Sequence, residues 1–248
     1  MPPAARPRRK RTANFDHKLL ALLRVAARVF AEAGYDKASI RRIAAEARMS
    51  LAGIYHYCTS KEQLLYYIQF QTFDSLLRGL EQCTANIADP RLRLAAAVRN
   101  HVRHFGDNMD ALKVCARELQ TLKGRAYREV HELRVAYFNA VHDIVTQLRP
   151  GTGAPLDAWL ATANLFGMIN WFYQWYDHGR PSPGGFAPPD PPSPSLAGAP
   201  APRSAPARSP RYRSARTHVR LDELADQQVR LFLDGYTPAA PCANRGNA

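Results

Sequence analysis

Ser50-Leu51-Ala52-Gly53-Ile54-Tyr55-His56-Tyr57, followed by Ser60-Lys61-Glu62, carries the most chemical information in the chain. A serine stands in front of a very short helical stretch, small residues fill its leading turn, an aromatic pair lies behind, and a second capped helix opens on a lysine. This is the shape of a DNA-reading element. Ser39 and Ser50, at helix starts, can satisfy helix N–H groups and touch phosphates, and Lys61, Arg41 or Arg42 can pair with a phosphate. Ala52 and Gly53 lack bulk, so the helix can approach a groove closely, and Leu51 can meet a thymine methyl. A purely structural reading stands beside this one: Ser39, Ser50 and Ser60 are equally caps, Tyr57 suits a core, and Arg41 or Arg42 can simply be solvated.

Other reactive residues form weaker patterns. His101 and His104 sit three apart on a helix and could share a metal with Glu118 or His131, the helical-metalloprotein alternative. No G-x-S-x-G, phosphate-binding Gly-rich loop or H-E-x-x-H occurs, so no enzyme, cofactor or metal is expected. The scattered Cys58, Cys83, Cys115 and Cys242 suggest reduced thiols. With no long apolar run and no apolar region after the basic start, the expectation is a cytoplasmic protein without a membrane partner.

The elements that position these residues follow from charge and periodicity. The formal charge of +13 is uneven: residues 1–62 hold 13 Lys/Arg against 5 Asp/Glu, residues 179–220 hold 7 against 1, and the remainder is near neutral. A basic module joined to a neutral body suggests that one end meets a polyanion while the other does something else. Residues 1–14, with Arg6, Arg8, Arg9, Lys10 and Arg11 and no acid, are expected to be a disordered basic arm. From about His17 the pattern is helical, with Leu19, Leu23, Ala26 and Phe30 inward and Gly34 at the end. Ser39 then caps a second helix burying Ile40, Ile43, Ala44 and Ala47. After Ala47-Arg48-Met49, Ser50 caps a third, with Met49 placed to pack on Ile54, and Ser60 caps a fourth with Gln63 completing a capping box. Two short helices joined by a tight turn and packed on a longer one make a helix-turn-helix, spanning 38–57.

The stretch from Ala26 to Leu65 resembles the N-terminal domain of the TetR family of bacterial transcriptional regulators. It carries Ala-Ala-Arg-Val-Phe-Ala-Glu-Ala-Gly-Tyr, Ser-Ile-Arg-Arg-Ile-Ala, Ile-Tyr-His-Tyr and Ser-Lys-Glu-Gln-Leu-Leu in order. The resemblance implies an all-α, dimeric, ligand-responsive repressor, less often an activator, and assigns Tyr55 and His56 to DNA contact. Two positions depart from the family: Arg48 stands where glycine is common, at a turn that favours positive φ, and Cys58 where phenylalanine is common. Arg48 also brings a cation to the DNA face.

The expected layout is a DNA-binding domain of three helices at 15–76 and a helical effector-binding and dimerisation domain at 77–248. Helices are expected from Lys61 to about Ile87, from Pro90 to near Gly106, over 110–122, 125–148 and 156–176, and from Leu221 to Tyr236. Aromatics surround the 156–176 stretch, as a helix facing both its own core and a second subunit requires. Residues 181–210 hold 11 of the 19 prolines, and 181–219 are read as a disordered insert. In the resembling family the last two helices form the dimer interface and the effector cavity lies among the preceding helices. Asn170 to Tyr176 is similar to a segment in a branch that includes regulators of lipid and acyl-CoA metabolism, which suggests a small apolar or acyl-CoA-like effector. Phe105, Met109, Tyr127, Tyr137, Phe138 and Trp171 are the candidate pocket residues, with plain core packing as the competing reading. The expected partners are a double-stranded DNA operator and a second copy of the chain; a sequence-tolerant DNA-packaging protein is the alternative that the basic ends also suit.

Overall fold

The computed structural model describes residues 13–148, 157–177, 180–181 and 219–236. Most of the basic arm, the proline-rich insert between Pro181 and Val219, and Leu156 lie outside the described residues. The described chain is all-helical apart from a two-residue antiparallel ladder. Its elements are α1 (Ala13–Ala33), α2 (Ile40–Glu46), α3 (Leu51–Tyr57), α4 (Lys61–Thr84), α5 (Pro90–Gly106), α6 (Met109–Arg117), α7 (Gly124–Thr146), α8 (Ala158–Asn170), a 3-10 turn (Trp171–Gln174), β1 (Tyr176–Asp177), β2 (Arg180–Pro181) and α9 (Leu221–Tyr236). No helix among the described residues is long and apolar enough to cross a membrane.

Two apolar clusters organise the helices. The first gathers Leu19, Leu22, Leu23, Ala26, Val29 and Phe30 of α1 with Ile43, Ala44, Ile54, Cys58, Leu64, Leu65 and Ile68, and it also takes Val114, Leu122 and Val130 from α6, α7 and the segment between them. The second gathers the far half of α4 with α5, α7, α8 and α9 around Phe105, Tyr137 and Phe172. α4 runs through both: Leu64 to Ile68 belong to one cluster and Leu76 and Leu80 to the other, while Phe73 packs against each. At 24 residues the helix is roughly 36 Å long and joins the helix-turn-helix to the body.

Local signals account for most helix ends. Gly34 takes a φ of +79° immediately after α1, the left-handed position that favours glycine. Asp89 accepts from the backbone N–H groups of Arg91 and Leu92, with Pro90 at the first helical position. At the crossing of α5 and α9, a Cβ on Gly106 would meet the Leu221 side chain, which would have to shift to make room. Arg103 and Arg99 of α5 then pair with Asp222 and Asp226 of α9 at 2.6 and 2.8 Å.

Several boundaries differ from the sequence reading. α1 begins at Ala13 rather than about His17, and α4 ends at Thr84 rather than about Ile87. α6 stops at Arg117 rather than near Leu122, and Glu118 just beyond it enters one tertiary hydrogen bond, its Oε1 accepting from the Tyr35 N–H at 3.2 Å, and one local bond, its Oε2 accepting from the Thr121 hydroxyl at 2.9 Å. α8 ends at Asn170, not Tyr176, and the aromatic stretch continues as a 3-10 turn and then as β1. Asn170 Oδ1 lies 3.2 Å from His101 Nε2, and Phe172 is fully buried, so tertiary contacts direct the chain here.

Candidate nucleic-acid interface

The α2–α3 joint is a Schellman turn. Met49 N–H donates to Ala44 O at 2.9 Å and Arg48 N–H to Ala45 O at 3.2 Å, which leaves Arg48 in the left-handed position with φ +52°. Arg48 is the one non-glycine residue with positive φ among the described residues, and a side chain there costs about 1 kcal/mol relative to glycine. Immediately afterwards Ser50 accepts the Gly53 N–H at 3.0 Å and starts α3. Ser39 caps α2 in the same way, accepting from Arg42 N–H at 3.2 Å.

α3 divides cleanly into two faces. Ile54 is fully buried and anchors the helix, and Cys58 closes it from the interior, its thiol donating to Ile54 O at 3.7 Å and held above its usual pKa by burial. Leu51, Ala52, Tyr55 and His56 face solvent, Leu51 at 41% and Tyr55 at 53% exposure. Phe15 of α1 fixes the far end, with its ring 4.7 Å from Tyr57 and 5.7 Å from His56. The result is a short rigid helix presenting one apolar contact, one small residue and two polar aromatics outward.

The cations around this face separate into two kinds. Arg41 and Arg48 are exposed and make no ion pair among the described residues. Arg42, expected as a phosphate partner, is spent within the domain: it pairs with Glu46 at 2.8 Å and Glu32 at 2.6 Å, and Arg28 reaches Glu46 at 3.2 Å, which cross-links α1 and α2. The Glu46 hydrogen bond holds the Arg42 guanidinium above its ordinary pKa. Lys61 is likewise engaged. Its Nζ donates to Tyr35 O at 2.8 Å, Ala38 O at 3.1 Å and Asp36 O at 3.3 Å, and it lies 4.3 Å from the centroid of the Tyr35 ring. All three ammonium donors therefore have partners on the α1–α2 connection. Gln63 departs from the expected capping box by one residue: its Oε1 accepts from the Thr59 N–H at 2.6 Å, while its own N–H is capped by Ser60 Oγ at 3.1 Å.

Of the six candidate pocket residues, Phe105, Tyr137 and Met109 share the second cluster and Phe138 adjoins it through Phe166, while Tyr127 and Trp171 lie apart. Phe105 and Tyr137 are buried in the second cluster, Phe138 is half-buried against Phe166 and Trp159, Tyr127 belongs to the first cluster, and Trp171 is 51% exposed. Met109 alone of the six lines the large cleft of about 1050 Å³ between α1, α4 and the α5–α6 link. The metal reading of His101 and His104 fails on geometry. His101 is fully buried with Nδ1 3.1 Å from the Tyr137 hydroxyl and Nε2 3.2 Å from Asn170 Oδ1, so both nitrogens are taken; burial pulls its pKa down to about 3. Glu118 is committed to Tyr35 and Thr121, and His131 packs beside Tyr127.

A capped two-helix reader mounted on a longer helix, with a helical body behind it, defines a helix-turn-helix regulator. Residues 22–68 match the model of bacterial regulatory proteins of the tetR family, and residues 88–186 match that of the tetracyclin repressor-like C-terminal domain. The chain belongs to the TetR family of bacterial transcriptional regulators. It is similar to the fatty acid metabolism regulator protein of Bacillus subtilis (strain 168), 24% identical over 155 residues covering 62% of this chain and 80% of that protein. It is also similar to the HTH-type transcriptional activator FasR of Mycolicibacterium smegmatis, 33% identical over 96 residues covering 39% and 44%. Among solved structures, a TetR-family transcriptional regulator from Bordetella parapertussis 12822 matches 88% of this chain and 95% of its own with 27% identity and a TM-score of 0.65. AibR in complex with isovaleryl coenzyme A and operator DNA shares the fold, at 22% identity and a TM-score of 0.63 over 89% of this chain and 98% of that one.

Proposed function

We propose that this regulator is a ligand-responsive repressor that acts as a homodimer on a palindromic operator, in the cytoplasm and without a catalytic role. The observation that carries the reading is the outward face of α3, with Leu51, Ala52, Tyr55 and His56 open to solvent beside Arg41 and Arg48, which make no ion pair among the described residues. In this reading α3 enters the major groove with its N-terminal residues at base edges. Leu51 meets a thymine methyl, Ala52 and Gly53 allow close approach, and Tyr55 and His56 touch the backbone or bases. Ser39, Ser50, Arg41 and Arg48 take phosphates, while Arg42 and Lys61 hold α1 and α2 in the geometry that presents them. Residues 15–76 serve as the DNA-binding part and the rest as the effector and dimerisation part.

Dimerisation is supported by apolar residues that their own protomer leaves uncovered. Trp159 and Leu160 of α8 are 57% and 56% exposed and Leu231 of α9 is 68% exposed, while α8 and α9 are bound to each other through Gln228 Nε2 and Met168 O at 3.2 Å. Two copies joined there place two α3 helices in successive major grooves, about 34 Å apart. The proposed effector is a small apolar compound or an acyl-CoA. The Bacillus relative bears a fatty-acid-metabolism name, and AibR was solved with isovaleryl coenzyme A. Binding acts by displacing α4, provided the ligand prefers one of the two conformations. Tyr55→Ala, measured by fluorescence anisotropy on the selected operator, should lose specific binding with unchanged helicity; unchanged operator affinity refutes the assignment of α3.

A further inference from the structure

α7 directs Tyr127, Val130, Tyr137 and Val141 inward at helical spacing, and Arg134 stands in the middle of that apolar stripe. Its Nη1 is buried and has no hydrogen-bond partner, and Arg134 forms no ion pair among the described residues. The guanidinium lies 5.2 Å from the centroid of the Phe73 ring of α4. The ionisable groups that face it are Cys115 and Tyr127, neither of them a carboxylate, and burial lowers its pKa. One turn from Phe73 on the same face of α4, Gln69 is fully buried. Its Nε2 donates to Glu118 O at 3.0 Å, and its Oε1 has no partner.

This pairing of orphans is unusual for a seam that packing alone would build. A partly buried cation without an anion costs stability, and the aromatic ring offsets only a fraction of the loss. The Arg134 side chain as a whole is half-buried, but its Nη1 is enclosed. The position is also where the two apolar clusters meet, since Phe73 packs against both. The Glu118 that fixes the Gln69 amide holds the Tyr35 N–H as well, at 3.2 Å, so the seam borders directly on the connection that leads into α2.

We propose that Arg134 anchors the anionic group of the effector, an amphiphile with an acyl body, and that Gln69 Oε1 accepts an N–H or O–H from the same molecule or from a water it carries. The site lies in the α4–α6–α7 seam and rests on the effector reading above. Two sources supply this chemistry: a free fatty acid offers a carboxylate alone, whereas an acyl-CoA offers phosphates together with amide N–H groups.

The test uses the full-length protein, with palmitate, palmitoyl-CoA and neutral methyl palmitate as probes in titration calorimetry. At least one anionic probe should bind the natural protein, and Arg134→Met should weaken it by about tenfold or more, the effect of losing one charge-assisted contact. Methyl palmitate should bind both proteins alike, and the ligand-free Arg134→Met protein should melt no lower than the natural one, since methionine replaces an unpaired cation. Arg134→Gln, of similar length but uncharged, provides the same comparison if the methionine variant does not fold. Equal binding of an anionic probe by natural and substituted proteins overturns the proposal; if that probe also releases the operator from both, the effector reading stands without Arg134. If neither anionic probe binds the natural protein, both the site and the acyl-effector reading are overturned.

Discussion

Replacing Lys61 by methionine separates two roles that a lysine at the start of α4 can play. The Nζ gives its three donors to Tyr35 O, Asp36 O and Ala38 O at 2.8, 3.3 and 3.1 Å and rests on the Tyr35 ring. Methionine keeps the aliphatic stem and removes the charge. Hydrogen bonds from a charged donor contribute about 1.5–3 kcal/mol net, and the cation–π contact about 0.5–1 kcal/mol. Because Lys61 is half-buried and water can reach the vacated carbonyls in part, the expected loss is about 2–3 kcal/mol in total. For a chain of this size that corresponds to a fall in melting temperature of roughly 4–12 °C. Thermal unfolding followed by circular dichroism gives the first readout, and operator titration across a salt series gives the second. A lysine spent on carbonyls leaves the salt slope unchanged, whereas a lysine on a phosphate lowers it by about one for each protomer. An unchanged melting temperature together with a slope reduced by about one for each protomer refutes the positioning role.

Two further perturbations follow from burial and exposure. His101 is fully buried and held neutral down to about 3, while its unfolded value is 6.5, so between these limits the unfolded chain binds more protons and stability falls as pH is lowered. From pH 7 to pH 5 the loss is about 2 kcal/mol; urea unfolding should show it, and His101→Gln should flatten the profile in that window, whereas an equally steep profile contradicts the assignment. Leu231→Glu places a charge on the exposed apolar side of α9, where Leu231 is 68% exposed. Light scattering should then find a folded monomer with weakened operator binding, and a persistent dimer places the interface elsewhere.

Local chemistry made the reading half of the molecule legible. Ser39, Ser50, Ser60 and Asp89 announced four helix starts because a cap acts within three residues of itself, and each accepts the expected backbone N–H. Arg48 was identifiable as a left-handed residue from the turn it occupies, and its φ of +52° agrees. The engagement of Lys61 was not legible, since the carbonyls that take it lie up to 26 residues away; for Arg42 the Glu46 partner lies at readable i,i+4 spacing, but Glu32 lies 10 residues back on another helix. The same holds for the early end of α6, which coincides with a Glu118–Tyr35 hydrogen bond spanning 83 residues. Arg134 left a visible trace, a cation interrupting the stripe of Tyr127, Val130, Tyr137 and Val141, but the absence of a carboxylate opposite it emerges only from packing.

A homodimer that reads two matching sites on one face of DNA leaves a symmetric signature in the sequences it selects. The most direct measurement is selection of bound sequences from a random duplex pool with the purified full-length protein, followed by footprinting of the enriched site. The predicted result is an inverted repeat whose half-site centres lie about one helical turn, roughly 34 Å, apart or a multiple of it, protected by two protomers. Retention of the pool without an enriched motif, with a steep salt dependence and no preference over random DNA, would contradict it and favour a sequence-tolerant DNA-packaging protein.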